Sequence, residues 1–484
     1  MCCRDDIPVI ALADDLSGAA EVAALLRRPA RLALHPRDLV RPVAAGEAAV
    51  VDLDSRYLSD EAAAAAVRAA LATAGTTADG SAAEAGTGSA DHRARPVGPS
   101  DDGPAQALTP ERDTASRVFR AVNSRASHDS PLWYKKCDSL LRGPVGAEAA
   151  AFAEGAELVV IAPALPVAGR VVRDGRVLVH GAPLRDCAAW RAEERTAPGS
   201  VAEAMAPLPT ASVPVEAVRQ GPVALAGRFR RLAAHGRHPV CDAETDTDLA
   251  VVAAAAALLG PGARLLGSGG LAAALGRRPD RPGPPADRAV PAPGERPLLV
   301  VAGSAEPAVG EQVARLVAAG ARHVPLAPGR LAGPDLLTLP ELVPGTVTVL
   351  SVDGSGGVRP GAARRIVAGL ARAVAALPGR PDLVLTGGET ARRVLDAAGV
   401  TMLWPVGEIH HGAVHSRTAD GRSVVTRPGS HGGPDSFLHI AAALRPSLPS
   451  PPASPSSSPS PSPATPPPPP APSATAPSEQ GVTQ

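Results

Sequence analysis

The 484-residue chain contains only two lysines, Lys135 and Lys136, which stand side by side in the segment WYKKCDSLLRGPVGAE. All other basic side chains are arginine, a planar fork of donors, whereas the lysine ammonium is a compact point charge suited to an anionic oxygen. Asp138, Ser139 and Arg142 add a carboxylate, a hydroxyl and a guanidinium within the same segment. This mixture predicts a site for an acidic, hydroxyl-bearing small molecule. The competing explanation is that two lysines survive by chance on a solvated face.

A second group of candidate residues lies in ADDLSGAAEVA, which begins at residue 13. Two carboxylates, a serine and a glycine fall where a strand-like run turns into a helical pattern. Asp14 or Asp15 is therefore a candidate to accept a proton from a substrate hydroxyl or to hold a metal ion. Helix capping by Asp or Ser would explain one of these residues, but not three together.

Glycine turns form the third group, in AGSAEPAVGEQ (302–312) and LTGGETARRVL (385–395). Each runs from a strand-like segment through glycine and a hydroxyl residue into a helix, exposing backbone N–H groups and the positive helix end to an anion. Neither matches a P-loop or a complete dinucleotide motif, so ordinary tight turns remain the alternative. Two further glycine turns lie at residues 267–275 and 424–437.

Histidines and cysteines give no clear metal site. In the extended segment EIHHGAVH (408–415), His410 and His411 would point to opposite faces, so the default is solvated or singly hydrogen-bonded histidines. The five cysteines are scattered without a CxxC pair, which supports neither zinc binding nor a disulfide framework. Cys137 is expected to be a core residue. The metal ligands therefore stay unassigned.

The overall composition indicates the class of partner. The formal net charge is zero, so the chain lacks the basic signature of nucleic-acid binding, and a small molecule is the expected partner. No apolar run reaches the length of a membrane span, and the first residues lack the order of a signal peptide, so neither a membrane partner nor export is expected. The expected location is the cytoplasm, and a homodimer is left open.

Short apolar runs alternate with Ala/Leu-rich helical patterns along the chain. Six runs are strand-like, and most end in Asp, Gly or Ser: residues 7–12, 48–53, 158–163, 297–303, 346–352 and 382–388. This βαβ rhythm predicts an α/β fold with mainly parallel sheets. Because ligands bind at the carboxyl ends of such strands, the candidate residues lie where chemistry is expected.

Composition also predicts the domain boundaries. Residues 281–296 are proline-rich and read as a linker between domains 1–280 and 297–445. Residues of about 74–111 have almost no large apolar side chain, so a mobile insertion is expected there. The Pro/Ser-rich residues 446–484 are expected to form a disordered tail.

Together, and in this order, the motifs resemble the four-carbon acid sugar kinase family. The resemblance covers nearly all of residues 7–445 and is carried by ADDLSGAAEVA, the DSR of residues 54–56, KKCDSLLRGPVGAE, APALPVAGRVVRDGRVLVHGAPL, GSGGLAAAL, VVAGSAEP, TGGETARRVL and TRPGSHGGPDSF. It implies two three-layer αβα-type domains, an N-terminal one for the sugar acid and a C-terminal one for the nucleotide. Both ligands would lie in the interdomain cleft.

The resemblance further implies a kinase that uses ATP and Mg²⁺ to phosphorylate the terminal (C4) hydroxyl of threonate, erythronate or 3-oxo-tetronate. The residues implied for the substrate are Lys136 and Arg142 on its carboxylate, Asp138, Ser139 and Arg56 on its hydroxyls, and Asp14 or Asp15 as proton acceptor. Those implied for the nucleotide are Ser304, Gly387, Gly388, Glu389, Thr390, Gly429 and Gly432.

The sequence departs from the family pattern at four positions on the nucleotide side, one of which is His431 in place of an aromatic residue. Arg427 and Pro428 stand where the family usually has lysine and a small residue, and Glu306 replaces a serine. Proline removes a backbone donor, and a carboxylate near phosphates is unfavourable unless a cation intervenes, so the sequence leaves open whether ATP binding is weakened. The alternative function is therefore a catalytically weak sugar-acid-binding or sensor protein. A dehydrogenase is disfavoured because no GxGxxG follows the first strand.

Overall fold

The computed structural model describes residues 7–39, 41–78, 130–187, 190, 193, 195–277, 296–303, 307–353, 363–429 and 432–445. The predicted tail, nearly all of the predicted linker and residues 79–111 of the predicted insertion lie outside this description. A helix continues to Ala78, which is four residues past the predicted start of the insertion at about residue 74. Ala74 is fully buried in the core, so packing holds this turn in the helix.

Eleven strands are described before residue 280: β1 (Val9–Ala13), β2 (Ala30–Ala33), β3 (Ala48–Asp52), β4 (Leu132–Lys136), β5 (Leu158–Ala162), β6 (Arg170–Arg173), β7 (Arg176–Val179), β8 (Ala182–Pro183), β9 (Thr210–Val213), β10 (His238–Cys241) and β11 (Ala263–Gly267). Seven are described after it: β12 (Leu298–Ala302), β13 (Arg322–Leu326), β14 (Val347–Val352), β15 (Asp382–Thr386), β16 (Met402–His410), β17 (Ala413–Arg417) and β18 (Ser423–Arg427). All six strand-like runs predicted from the sequence are strands.

The α-helices of the described part of the first half are α1 (Leu16–Leu25), α2 (Asp60–Ala78), α3 (Val145–Ala153), α4 (Val201–Ala204), α5 (Val215–Val218), α6 (Pro222–Ala233), α7 (Asp246–Ala257) and α8 (Gly269–Gly276). Those of the second half are α9 (Pro307–Ala318), α10 (Pro328–Leu331), α11 (Ala363–Ala375), α12 (Gly388–Ala397) and α13 (Ser436–Leu444). No described helix has both the length and the apolar character needed to cross a membrane.

Fifteen of the described strands form one sheet in the order β13-β14-β12-β15-β18-β17-β16-β2-β3-β1-β4-β11-β5-β10-β9. Within this sheet, pairing is parallel in each half except around β17, which is antiparallel to both its neighbours, and β6, β7 and β8 form a separate antiparallel sheet. The halves meet where β16 pairs antiparallel with β2, through Met402 opposite Ala33 and Leu403 opposite Leu32. The predicted α/β class with mainly parallel strands is confirmed.

The central strands are buried along their whole length, as expected when helices cover both faces of a parallel sheet. All five residues of β1 are buried, and β3, β5, β12 and β15 show the same pattern. With aromatic residues at only 2% of the chain, this core is built mainly from Ala, Val and Leu. The sheet therefore provides a rigid base for the loops at its carboxyl edge.

Candidate active site

Three neighbouring parallel strands bring the candidate residues of the first half together. β1 lies between β3 and β4. Asp14 follows β1, Arg56 follows β3, and Asp138 follows β4. Because the strands are parallel, their carboxyl ends open onto the same edge of the sheet, where the crevice of an α/β fold binds ligands.

Arg56 connects the acidic groups at this edge. Its Nε and Nη2 donate to Asp14 Oδ2 at 2.9 and 2.7 Å, and its Nη1 donates to Asp15 Oδ2 at 2.8 Å. Asp138 Oδ1 lies 4.0 Å from Nη2. Burial alone would lower the pKa of Arg56, but the surrounding carboxylates raise it well above its ordinary value. Arg56 thus fixes both candidate proton acceptors.

Asp14 is buried and keeps one oxygen available. Its Oδ1 has no hydrogen-bond partner among the described residues, and Lys136 Nζ stands 3.6 Å away, within ion-pair but not hydrogen-bond distance. Burial would raise the pKa of Asp14, yet Arg56 and Lys136 outweigh it and hold the pKa at about 2. Asp14 is therefore an ionised carboxylate with a free acceptor atom.

Asp15 caps the helix that follows. Its Oδ1 accepts a hydrogen bond from the Gly18 amide at 2.9 Å and so begins α1. A Cβ atom at Gly18 would lie 2.6 Å from Lys136 Nζ, so glycine is needed for the ammonium to lie against this turn. The glycine of DDLSG and the lysine of KKCDS thus belong to one constellation.

The two adjacent lysines have different environments. Lys135 is fully buried, and its Nζ pairs with Glu148 Oε2 at 3.0 Å and donates to the Lys136 carbonyl at 2.9 Å. Lys136 is 6% exposed and lies beside Asp14; burial would lower its pKa, but Asp14 and Asp15 raise it. The solvated-face explanation is therefore wrong for both, and only Lys136 reaches the candidate site.

The guanidinium of Arg142 is already engaged by a carboxylate of the protein. Its Nε and Nη2 donate to Asp138 Oδ2 and Oδ1 at 2.6 and 3.1 Å. The expected bidentate grip of Arg142 on a substrate carboxylate is thus replaced in this structure by a grip on Asp138. Burial would raise the pKa of Asp138, but Arg56 and Arg142 hold it well below its usual range.

Arg170 is a cation of the site to which the sequence analysis gave no role. It lies at the start of β6, and its Nη1 donates to the Ser139 hydroxyl. Its Nε is buried without a hydrogen-bond partner among the described residues. The available signal was its place in the GRVVRDG motif, which follows the carboxyl end of the buried strand β5.

The glycine turn of the second half lies directly against the first half. Gly387, at φ 88°, precedes α12 and makes no side-chain cap, and Gly388 is the first residue of the helix. A Cβ atom at Gly388 would lie 2.8 Å from Asp15 Oδ2 and 3.3 Å from Ser17 Oγ. The N-terminal turns of α1 and α12 therefore meet, with Glu389 and Thr390 in the first turn of α12.

The other two turns assigned to the nucleotide are described only in part. Ser304 and Glu306 lie outside the described residues. A side chain at Gly303 would collide with Thr390, so the chain leading to Ser304 runs close to the first turn of α12. On the opposite side, the Gly387 amide donates to the Arg427 carbonyl at 2.9 Å, which connects α12 with the turn containing Gly429 and Gly432.

Arg427 braces this last turn from inside. It is fully buried, donates to Ser436 Oγ at 2.9 Å and to Gln312 Oε1 at 2.5 Å, and lies 4.4 Å from the centre of the Phe437 ring. Gln312 Nε2 in turn donates to the carbonyl of Gly432 at 3.2 Å. The departure from lysine at this position thus provides internal support for the turn.

The remaining motifs have structural roles. His410 contacts Ser436 Oγ at 2.9 Å and His415 contacts Ser423 Oγ at 3.1 Å. Across the ranges described, no group of three or more His, Cys, Asp or Glu could hold a metal ion. In GSGGLAAAL, a Cβ at Gly269 would lie 2.5 Å from Glu21 Oε1, so a carboxylate already occupies the space before α8.

A buried ion pair joins the two halves behind the site. Arg392 of α12 donates through Nη1 to Asp52 Oδ2 at the end of β3, at 2.7 Å. Its neighbour Arg393 pairs with Asp54 at 2.8 Å on the surface. The helix that carries the glycine turn is thereby attached to the strand that leads to Arg56.

Comparison with known proteins agrees with this arrangement. Residues 9–83 and 108–275 match a family model described as a sugar-binding N-terminal domain, and residues 299–437 match one described as a nucleotide-binding C-terminal domain. The chain belongs to the four-carbon acid sugar kinase family. As a member of this kinase family it is a phosphotransferase with an alcohol group as acceptor, and its nucleotide-binding domain implies the use of ATP.

Two curated relatives of this kinase are similar over most of their length. The chain is 34% identical over 357 residues to a D-threonate kinase of Cupriavidus necator. The aligned region covers 69% of this chain and 85% of the relative. The chain is 31% identical over 353 residues to a D-threonate kinase of Bordetella bronchiseptica, and the aligned region covers 69% of this chain and 83% of the relative.

Solved structures show the same fold. A Salmonella typhimurium LT2 protein, described provisionally as a tRNA synthase, superposes with a TM-score of 0.66 at 19% identity over 90% of this chain and 99% of that one. A Haemophilus influenzae protein superposes with a TM-score of 0.58 at 18% identity over 90% and 100% of the two chains. At these identities the likeness concerns the fold alone.

Proposed function

We propose that the protein uses ATP to phosphorylate the terminal (C4) hydroxyl of a four-carbon sugar acid such as threonate, erythronate or 3-oxo-tetronate. The observation that carries the proposal is the close approach of Gly388 to Asp15, which puts the glycine turn of the nucleotide-binding half beside the buried carboxylates of the sugar-binding half. The two relatives named as D-threonate kinases support a sugar acid as acceptor.

The substrate carboxylate is assigned to Lys136 and to the Nη1 edge of Arg142. The one ion pair of Lys136 with a described residue is the 3.6 Å contact with Asp14 Oδ1, so its ammonium has donors to offer. Arg142 uses Nε and Nη2 on Asp138 and leaves Nη1, which is 3.9 Å from Glu193. The hydroxyls are assigned to Asp138, Ser139 and Arg56, by the resemblance described above.

The transfer step needs a group that accepts the proton of the attacking hydroxyl. In the proposed step, O4 of the sugar acid forms a bond to the γ-phosphorus of ATP. The bond from that phosphorus to the β,γ-bridging oxygen breaks, and its electron pair leaves on ADP. The O4 proton passes to Asp14, whose Oδ1 is the unpaired carboxylate oxygen. With a pKa of about 2, Asp14 takes this proton late, as charge leaves O4.

ATP is assigned to the turn of Gly387, Gly388, Glu389 and Thr390 and to the turns that contain Ser304, Gly429 and Gly432. Backbone N–H groups at the start of α12 suit phosphate oxygens. Mg²⁺ usually binds through one or two carboxylates together with substrate phosphates and water. Asp14 Oδ1 is a buried site carboxylate oxygen without a hydrogen bond among the described residues, and the ion would be held chiefly by the phosphates.

A coupled assay of ADP release tests the proposal. The purified protein is supplied with Mg²⁺, ATP and, in turn, threonate, erythronate or 3-oxo-tetronate, and the product is examined by ³¹P–¹H correlation for attachment at C4. Lys136→Ala should raise the KM for the acid on the order of a hundredfold, because it removes a desolvated charge contact. Arg68→Ala, which breaks an exposed pair with Glu154, is the matched control and should leave the kinetics unchanged.

Two results would contradict the proposal. The first is phosphorylation at a position other than C4. The second is binding of the acid, measured by calorimetry, with no ADP release under any of these conditions, which would favour the sugar-acid-binding or sensor alternative.

A further inference from the structure

Ser17 carries a buried hydroxyl that the folded chain does not use. It lies in the first turn of α1 and is only 5% exposed. Its Oγ has no hydrogen-bond partner among the described residues. Buried hydroxyls are normally paired, and an unpaired one destabilises the fold unless a ligand supplies the missing partner. This atom therefore calls for an explanation outside the protein's own hydrogen bonds.

The hydroxyl faces the glycine turn of the other half. The absent side chain of Gly388 lets the two turns touch: a Cβ atom there would stand 3.3 Å from Ser17 Oγ and 2.8 Å from Asp15 Oδ2, so the hydroxyl lies against the backbone that begins α12. Ser17 and Gly388 each lie in the first turn of a ten-residue helix. The amides of a first helical turn lack intrahelical acceptors, so two sets of N–H donors and one hydroxyl converge here.

The donors around this contact favour an anion over a cation. Two helix N-termini place partial positive charge here, and the Lys136 ammonium lies against the same turn of α1 at Gly18. The nearest carboxylate, Asp15, already accepts from Arg56 and from the Gly18 amide. The contact also involves Asp15, the neighbour of Asp14 in the chain, and therefore lies on the side of the acidic site that faces the nucleotide turn.

We propose that the Ser17 hydroxyl donates a hydrogen bond to the terminal phosphoryl group of the bound nucleotide, the group that is transferred. The inference rests on the proposed function and deepens it, because it names a residue that distinguishes a nucleoside triphosphate from a diphosphate. Ser17 takes no proton and forms no covalent bond in the step; it holds the γ-phosphate oxygens while the phosphorus moves to O4.

The test compares Ser17→Ala with wild type by calorimetric titration with ADP and with a non-hydrolysable ATP analogue, each with Mg²⁺. Wild type should bind the analogue more tightly than ADP. Ser17→Ala should lose about tenfold or more in affinity for the analogue and bind ADP unchanged, as removal of a hydrogen bond to a charged group predicts. Its Tm without ligand should equal or exceed that of wild type, because an unpaired buried hydroxyl is removed.

Ser416→Ala is the matched control. Ser416 is fully buried on β17, and its Oγ likewise lacks a partner among the described residues, but it lies outside the proposed site. This variant should show the same Tm behaviour with unchanged affinity for both nucleotides.

The inference is overturned if Ser17→Ala keeps the preference of wild type for the analogue, weakens both nucleotides equally, or lowers the Tm by several degrees. It is also overturned if wild type shows no preference for the analogue. Its failure is separable from failure of the proposed function. A wild-type protein that prefers the analogue but phosphorylates none of the three acids refutes the proposed reaction, while the comparison with Ser17→Ala still decides the role of the hydroxyl.

Discussion

Arg392 and Asp52 are 340 positions apart in the chain, yet they form a buried ion pair of 2.7 Å across the junction of the two halves. Arg392 belongs to the helix that begins with the nucleotide turn, and Asp52 ends the strand that leads to Arg56. The pair therefore fixes the nucleotide turn relative to the acidic site, and it can be tested separately from catalysis.

Removing Arg392 should destabilise the protein strongly. At pH 8, Arg392→Gln leaves the Asp52 carboxyl buried without its cation, so that it must either stay as a lone charge or take up a proton, and we expect a loss of about 3–5 kcal/mol in the free energy of unfolding. Arg393→Gln on the same helix breaks the exposed pair with Asp54 and should change it by less than about 1 kcal/mol. Urea unfolding measures both. Equal, small losses would show that the buried pair does not hold the halves together.

Asp52 should also make stability depend on pH. Burial raises its pKa to about 7, although Arg392 acts in the opposite direction. Because the unfolded carboxyl ionises near pH 3.9, the folded state binds more protons between about pH 4 and 7, and stability should fall as pH rises through this range by at most about 1.4 kcal/mol per unit.

The measurement is the difference in unfolding free energy between wild type and Asp52→Asn from pH 5 to pH 8. Because asparagine does not titrate, the difference in unfolding free energy should fall as the pH rises toward 7 and level off above pH 7. A difference that stays constant over the whole range would refute the raised pKa.

Gly388→Ala should impair phosphoryl transfer. The added methyl group would lie 2.8 Å from Asp15 Oδ2, so either α12 or the acidic turn must move. Displacement of about 1 Å at a reacting centre can lower activity on the order of a hundredfold, and we expect a loss of this size in kcat/KM. Gly310→Ala in α9 is the control, since its Cβ would meet open space, and it should keep full activity. Full activity of Gly388→Ala would remove the observation on which the proposed function depends.

The two lysines should respond differently to methionine. Lys135→Met leaves Glu148 buried without its cation and should cost about 3–5 kcal/mol of stability, whereas adding Glu148→Met should recover most of this loss. Lys136→Met should raise the KM for the acid strongly, as Lys136→Ala does, with a smaller loss of stability, because Arg56 still pairs with Asp14. Thermal unfolding and the ADP assay separate these effects. A larger loss of stability for Lys136→Met would reverse the assignment.

Cys137 should be unreactive in the folded protein. Burial raises the pKa of its thiol to about 12, so almost no thiolate is present at pH 8. Iodoacetamide labelling followed by peptide mass spectrometry should find Cys137 unmodified until denaturant is added, while the partly exposed Cys187 is modified first. Labelling of Cys137 in the native protein would contradict its place in the core.

The sequence could predict Asp14, Lys136 and Gly388 as candidates because each follows or ends a strand with a local pattern. The convergence of such residues at one edge is a general property of parallel sheets. The partners of these residues were harder to foresee. Arg142 was predicted to bind substrate, although Asp138, four positions earlier, takes two of its donors.

The junction of the halves could not be predicted from the sequence. The pairing of β16 with β2 depends on which strands remain at the sheet edges, and the Arg392–Asp52 pair depends on that register. Ser17 was noticed only as part of DDLSG, because the absence of a hydrogen-bond partner becomes visible only after folding.

Only two residue pairs join the edge strands β2 and β16, with one further hydrogen bond from the Leu34 amide to the Thr401 carbonyl at 2.9 Å. We expect so short a β-pairing to serve as a hinge between the two halves. Rotation about it preserves the backbone bonds, whereas sliding of one half past the other would break them. We therefore expect ATP to enter and ADP to leave by a hinge rotation of the two halves that the ion pair of Arg392 with Asp52 opposes.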